Sequence, residues 1–402
     1  MKKTLQYIVI FLAAIFLFSC SDGLTDFQKE SFIKFYGSYQ VDIGQDVQQL
    51  TSGGYALTGT MMPPDLNSKM FLLLTDEYGN QVDNSPIYYG GDYSCSGTSL
   101  LALDDGFLIS GQITDSLVIT VGSISNTVPH TDIFVVRTDL LGNVLWENQF
   151  GGDANETASH AVERTSGGFV VAGKTEVNDQ DDLWIIMLDE ELNFLCEMTG
   201  NNSTDDDEAN FILNTGSGYL VACTYNDAAF TGRDFMVLNI DDDCNLIDAR
   251  SMGTNFEDFA RSIVPYNGAY LLMGYSENST TGNSQIALHT FSLEANLIKN
   301  QQLFATISTS GADFIGEACV VSSNDSIAVV GSHELNENKD MLLQFIGDDA
   351  TIGSTILFGQ QGDQSGYDIK RTLDGGLILI GSNGLEGNSV ISLVKSNAGG
   401  KF

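Results

Sequence analysis

Short apolar runs separated by polar, glycine-rich punctuation recur along the whole chain. In the clearest unit, residues 158–164 predict a first strand, and Thr165-Ser166-Gly167-Gly168 turns into a second, 169–172. Residues 176–182 read as a polar loop, 183–188 as an almost wholly apolar third strand, 189–193 as a turn and 194–198 as a fourth strand. Apolar runs of this length bounded by Gly, Asn and Asp clusters predict strands joined as hairpins. The third run has counterparts at 70–74, 133–137 and 235–238; Asp132 and Asp234 lead the last two of these, as Asp182 leads the third run itself. Such near-continuous apolar strands must be covered on both faces.

The unit repeats. A turn, an apolar segment and a closing residue follow one another at Gly167-Gly168-Phe169, Gly53-Gly54-Tyr55, Asp105-Gly106-Phe107 and Ser217-Gly218-Tyr219. The same order returns at Gly268-Ala269-Tyr270, Asn324-Asp325-Ser326 and Gly375-Gly376-Leu377. The closing positions Gly59, Gly111, Gly173, Cys223, Gly274, Gly331 and Gly381 lie 50 to 62 residues apart. A regular period of this kind marks a repeat architecture. Four strands per unit, stacked face to face around an axis, fit propeller blades, so the chain is expected to be all-β, a seven-bladed β-propeller. The seventh unit supplies three strands, at 368–373, 377–380 and 390–394, while a spare strand stands at 31–37. Pairing 32–36 beside 390–394 would complete the last blade, close the ring and remove exposed sheet edges. The widest spacing places an insertion at 116–130, whose partial alternation predicts an added hairpin in the second blade.

The N-terminus reads as a secretory signal, residues 1–19, with a positive start at Met1-Lys2-Lys3 and an apolar stretch too short to span a bilayer. It ends in Leu17-Phe18-Ser19-Cys20, which resembles the bacterial lipobox and implies lipidation of Cys20. Ser21-Asp22-Gly23 resembles the serine-plus-acidic tag that sends lipoproteins of Bacteroidetes to the cell surface. The expected organisation is a signal peptide (1–19), a linker from lipidated Cys20 (20–30) and the propeller (31–402). Attachment to the outer membrane, on the cell surface, would then be through lipid alone.

Composition narrows the partners. The net charge is −36, from 17 basic and 53 acidic residues, which disfavours nucleic acid and anionic membrane surfaces. Five cysteines remain beyond Cys20, so in an exported protein at least one thiol stays free or pairs between chains. Cys223 and Cys319 read as small buried residues; the pairing among Cys95, Cys196, Cys223, Cys244 and Cys319 is open.

Several units share Phe-Gly-Gly, Gly-Gly-aromatic, Asp-x-aromatic and Gly-Asn-x-x-Trp, seen in Phe150-Gly151-Gly152, Gly167-Gly168-Phe169, Asp132-Ile133-Phe134 and Gly142-Asn143-Val144-Leu145-Trp146. Over residues 31–402 this resembles the repeat-type β-propellers of exported bacterial proteins, especially from Bacteroidetes. The resemblance implies a scaffold and carries no catalytic residues, because a superfold does not settle function.

Counting back thirteen residues from each closing position gives Asp46, Thr98, His160, Asn210, Arg261, Ala318 and Asp368. Two residues further on, the set is Gln48, Leu100, Val162, Ile212, Ile263, Val320 and Lys370. If the innermost strands begin near the first set, its six polar members ring one mouth of the channel as a candidate ligand site. Acidic residues also precede each unit, at Asp42, Asp92, Glu156, Asp205 to Glu208, Glu257-Asp258, Asp313 and Asp363. They could hold Ca²⁺, but none matches the calcium-loop spacing, and hydrogen bonding to nearby backbone is the expected role. No metal or cofactor is otherwise expected, since His130, His160, His289 and His333 are scattered with no metal-binding spacing. A nucleophile elbow and sialidase boxes are both missing from the sequence. Asp115-Ser116-Leu117 and Asp325-Ser326-Ile327 resemble the short O-glycosylation motif of Bacteroidetes. The expectation is a non-enzymatic, lipid-anchored binding or scaffold protein for a membrane protein complex or an extracellular ligand. The alternative is a carbohydrate-binding or carbohydrate-active protein using an acidic face.

Overall fold

The computed structural model describes residues 31–402 apart from 38–39, 65–66, 122–123, 201–205, 228–231, 254–255, 278–281, 310, 324, 360 and 386. The expected signal peptide (1–19) and linker (20–30), Cys20 included, lie outside the described residues, as do Asp205 and Asn324. Strand β1 (Phe32–Tyr36) precedes the first blade, β2 (Ile43–Gln49), β3 (Tyr55–Met61), β4 (Lys69–Thr75) and β5 (Ile87–Tyr89). The second is β6 (Ser94–Leu103), β7 (Gly106–Val121), β8 (Ile124–Asp139) and β9 (Val144–Phe150). The third is β10 (Glu156–Glu163), β11 (Phe169–Val177), β12 (Gln180–Leu188) and β13 (Phe194–Thr199). The fourth is β14 (Glu208–Asn214), β15 (Tyr219–Asp227), β16 (Gly232–Ile240) and β17 (Leu246–Ser251). The fifth is β18 (Glu257–Tyr266), β19 (Ala269–Glu277), β20 (Ser284–Glu294) and β21 (Leu297–Ile307). The sixth is β22 (Asp313–Val321), β23 (Ile327–Leu335), β24 (Asn338–Ile346) and β25 (Ile352–Phe358). The seventh has β26 (Gln364–Arg371), β27 (Leu377–Leu385) and β28 (Asn388–Ser396) and takes β1 as its outer strand. β1 runs antiparallel to β28 from Phe32 opposite Lys395 to Tyr36 opposite Ile391. The first strands β2, β6, β10, β14, β18, β22 and β26 contact one another in turn around the axis, and β26 returns to β2. This is the seven-bladed propeller closed by its N-terminal strand.

The apolar runs follow from this stacking. In β11 and β12, Phe169, Val171, Trp184, Ile186 and Leu188 pack toward the second blade. Their neighbours Val170, Ala172, Ile185 and Met187 pack toward the fourth. With a side-chain period of two, successive residues serve successive interfaces, and each of the seven interfaces has its own apolar cluster. Removing one such side chain, as in Ile185→Ala, costs about 2–5 kcal/mol.

Two sequence expectations change. Residues 176–182 are mostly strand rather than loop, because Asn178 and Asp179 alone make the turn, with φ 54° and 63°. Two consecutive left-handed residues are what a tight hairpin needs to follow the twist of its strands. The 116–130 insertion prolongs the second blade's own middle hairpin: β7 and β8 stay in register from Gly106 opposite Asp139 to Val121 opposite Ile124. Each is 16 residues long against nine in β11 and β12, so an arm extends about 20 Å past the blade at about 3.3 Å per residue. Cys196 and Cys244 form a disulfide between the third and fourth blades, and Cys95, Cys223 and Cys319 are buried free thiols.

Candidate functional site

Every first strand carries a β-bulge at one place. The extra residues are Gln45, Thr98, Ser159, Asn210, Arg261, Glu317 and Tyr367, opposite the junction just before each closing position. All seven are half-buried. A bulge twists the strand and re-aims side chains. The six residues picked by a fixed count therefore divide. Thr98, Asn210 and Arg261 are bulge residues, whereas Asp46, His160 and Asp368, with Ala318, stand one residue later. The count slips because the turn between the first two strands has five residues in blades 1, 3, 6 and 7 and two or four in the others.

The residue after the bulge joins blade to blade. Asp46 Oδ2 accepts from the Leu100 N–H at 2.8 Å, and Ser99 Oγ accepts from the Ala161 N–H at 3.2 Å. Asp368 Oδ2 accepts from the Val47 N–H at 3.4 Å, and the His160 ring stacks on Phe211 with centroids 4.0 Å apart. Lys370 joins this set, its Nζ 2.7 Å from Asp368 Oδ1 and 3.8 Å from Asp46 Oδ1, with 29 % of its side chain still exposed. Burial pushes the Asp46 carboxyl up; Lys370 opposes that and Asp368 reinforces it. Burial also works against charge on Asp368, but Lys370, the bond with Asp46 and the Val47 N–H outweigh it and hold that carboxyl below its ordinary range. Lys370 was visible in the sequence as the one cation in an otherwise uncharged set.

The bulge residues make a second layer. Arg261 Nε donates to Glu317 Oε2 at 2.8 Å, and its guanidinium lies 5.1 Å from the Tyr275 ring centre. Asn210 Oδ1 accepts from Thr224 Oγ1 and N–H, while Thr98 Oγ1 donates to the Ser110 carbonyl. The structure thus brings Asp46, Asp368, Lys370 and, within electrostatic reach, His160 together. It leaves Thr98, Asn210 and Arg261 bound mostly within their own or adjacent blades.

The acids at the blade starts largely cap backbone. Asp42 accepts from the Met62 N–H, Asp207 from Asn226, and Asp313 from Ser284. Glu156 differs in its company. His130 and Asp132 of β8 and Glu156 of β10 bring ligand atoms within 4.8 Å of one another, a set compatible with a divalent cation. Sequence reading missed it because the three residues come from two blades and their spacing matches no motif. Burial raises both the Asp132 and the Glu156 carboxyls, and each is raised further by nearby negative charge.

On the opposite face, a cavity of about 430 Å³ lies between the second and third blades. Trp146, Asp104, Asp105, Arg164, Glu190 and Glu191 are among its lining residues. Arg137 pairs with Asp105 at its wall.

No protein-family model matches this chain, and no curated protein does. Among solved structures, puromycin hydrolase is similar at 12 % identity with a TM-score of 0.50, covering 90 % of this chain and 54 % of that one. Sqt1 from Chaetomium thermophilum is similar at 10 % identity with a TM-score of 0.49, covering 90 % of this chain and 97 % of that one. At 12 % identity the likeness to puromycin hydrolase speaks to the fold alone.

Proposed function

We propose that this protein is a non-enzymatic binding module, exported and held at the outer-membrane surface through lipidated Cys20, whose partner docks on the second-blade arm. The observation that carries the reading is the arm itself. β6 pairs with β7 only as far as Thr114, and β9 pairs with β8 only from Ile133. Beyond those points no described strand covers either outer edge of the ribbon. A bare strand edge is a template for another chain, and strand addition is a recurrent mode of peptide recognition. Residues 116–129 contain no charged side chain, in a chain of net charge −36, so a protein edge can approach the arm without burying unpaired charge. The Cys196–Cys244 disulfide supports export, since such bonds persist in oxidising compartments. The partner is expected to be an outer-membrane protein or an extracellular polymer of peptide character.

A second reading, carbohydrate binding, is favoured by the cavity between the second and third blades. Trp146, 41 % exposed, offers an apolar face beside the carboxylates that line it. One set of variants separates the readings in membrane fractionation, affinity recovery and glycan screening. Replacing residues 117–128 by Asn-Gly is expected to abolish recovery of a stoichiometric partner, and Cys20→Ala to move the protein to the soluble fraction. Trp146→Ala is expected to leave partner recovery unchanged. Unchanged recovery with the shortened arm would sink the first reading; glycan binding lost only with Trp146→Ala would establish the second.

A further inference from the structure

We propose that His130, Asp132 and Glu156 form a binding site for a divalent transition-metal ion of the zinc type, which fastens the root of the arm to the third blade. This inference is independent of what docks on the arm. His130 and Asp132 sit where β8 leaves the blade, and Glu156 is the first residue of β10 in the next blade. An ion held by all three would therefore cross-link arm and ring.

Four observations on the chain converge. The donor atoms lie within 4.8 Å of one another, so they stand at most about 2.8 Å from a common centre, and shifts of at most about 0.7 Å would bring them to zinc's usual 2.0–2.2 Å. His130 Nε2 and Asp132 Oδ1 are buried and make no hydrogen bond; they face each other at 3.5 Å, an ion pair when the imidazole is protonated, with side chains only 11 % and 17 % exposed. Buried polar atoms are ordinarily satisfied, and a bound cation would satisfy both. Glu156 is 3 % exposed and already oriented, its Oε1 accepting from Thr175 Oγ1 at 2.8 Å and its Oε2 from the Gly152 N–H at 3.3 Å. Finally, a Cβ on Gly151 would fall 1.9 Å from Asp132 Oδ1 and 2.4 Å from Glu156 Oε2, so two carboxylates converge on this glycine, whereas Gly253 faces Asp234 alone and Gly359 faces Asp340 alone.

The donor set also chooses the ion. Calcium takes six to eight oxygens, whereas one imidazole with two carboxylates suits zinc and its neighbours. Residues at the place of His130 in the third, fourth and sixth blades are Gln180, Gly232 and Asn338, so the second blade, which bears the arm, is distinguished from them by its imidazole. Asp115, opposite His130 in the β7–β8 register, is near enough for its charge to act on Asp132.

The test is equilibrium titration of the chelator-treated full chain with Zn²⁺ alone, followed by calorimetry and repeated with excess Ca²⁺. One zinc per chain is expected, undisplaced by calcium at matched concentration. His130→Ala and Asp132→Asn should each weaken it by at least about tenfold, while melting of the metal-free variants stays within a few degrees of the parent. Should His130→Ala fail to fold, His130→Gln gives the same comparison with the ring's volume partly kept. No zinc bound at 100-fold molar excess over about 1 μM protein, binding unaltered in the folded His130 variant, or displacement by calcium would each overturn the proposal.

Discussion

Asp46 and Asp368 show how a polar residue near a propeller axis can be read two ways. The repeat marks both as ligand candidates, and in the fold both receive backbone N–H groups from the next blade, so part of their polarity goes to holding the ring. The type of residue was legible because the repeat put it there. Its partner was not, since Lys370 meets Asp46 only when the last blade closes on the first. His160 and His289 make a prediction at this scale. Burial, helped by Lys370 and opposed by Asp368, takes the His160 imidazole down to about 3, and burial takes His289 to about 4. An unfolded imidazole titrates near 6.5. Below that pH the unfolded chain binds protons that the folded chain refuses, so this stability is complete above pH 6.5 and declines toward pH 4. Asp46, with its raised carboxyl, works in the opposite direction, so a variant isolates the histidine contribution better than the raw profile. His289→Gln should flatten the fall of melting temperature between pH 6.5 and 4; parallel profiles for parent and variant would contradict the assignment.

At the scale of the element, the closing glycine is explained by what faces it. In the six blades that have it, a backbone carbonyl of the first strand stands where a side chain would sit on the second. A Cβ on Gly173 would meet the Thr157 oxygen at 1.9 Å, and one on Gly331 the Ile315 oxygen at 1.9 Å. The periodic glycine was plain in the sequence, and it located the strands; the bulge opposite it was not, because nothing in a bulged strand's composition marks one extra residue. The same limit displaced half of the ring by one position. Cys223 holds the equivalent place in the fourth blade and is buried without a disulfide, so that blade accepts a Cβ. Gly173→Ala is therefore expected to cost about 3 kcal/mol, as overpacking against rigid backbone does, and Cys223→Ala less than about 1.5 kcal/mol. Urea unfolding measures both, and equal costs would contradict the account.

Across the whole molecule, the repeat makes the number of blades and the closing strand legible in the sequence, since three strands at one end of the chain and one at the other complete a four-stranded unit. Contacts between blades were much less so. The disulfide joins third- and fourth-blade residues 48 positions apart, worth about 4 kcal/mol of loop entropy on the chain-entropy view, and spacing alone could not select that pair. The His130, Asp132 and Glu156 cluster likewise exists only because two blades are adjacent. What distinguishes this ring from a plain propeller is the arm, and there we propose that a partner binds. The most direct measurement places a photo-crosslinking residue at Thr120, on the arm, and separately at Ser354, on the outer strand of the sixth blade, in the full chain at its membrane. One discrete crosslinked adduct is expected from Thr120 and none from Ser354. An adduct from Ser354 with none from Thr120, or none from either, would contradict the proposal.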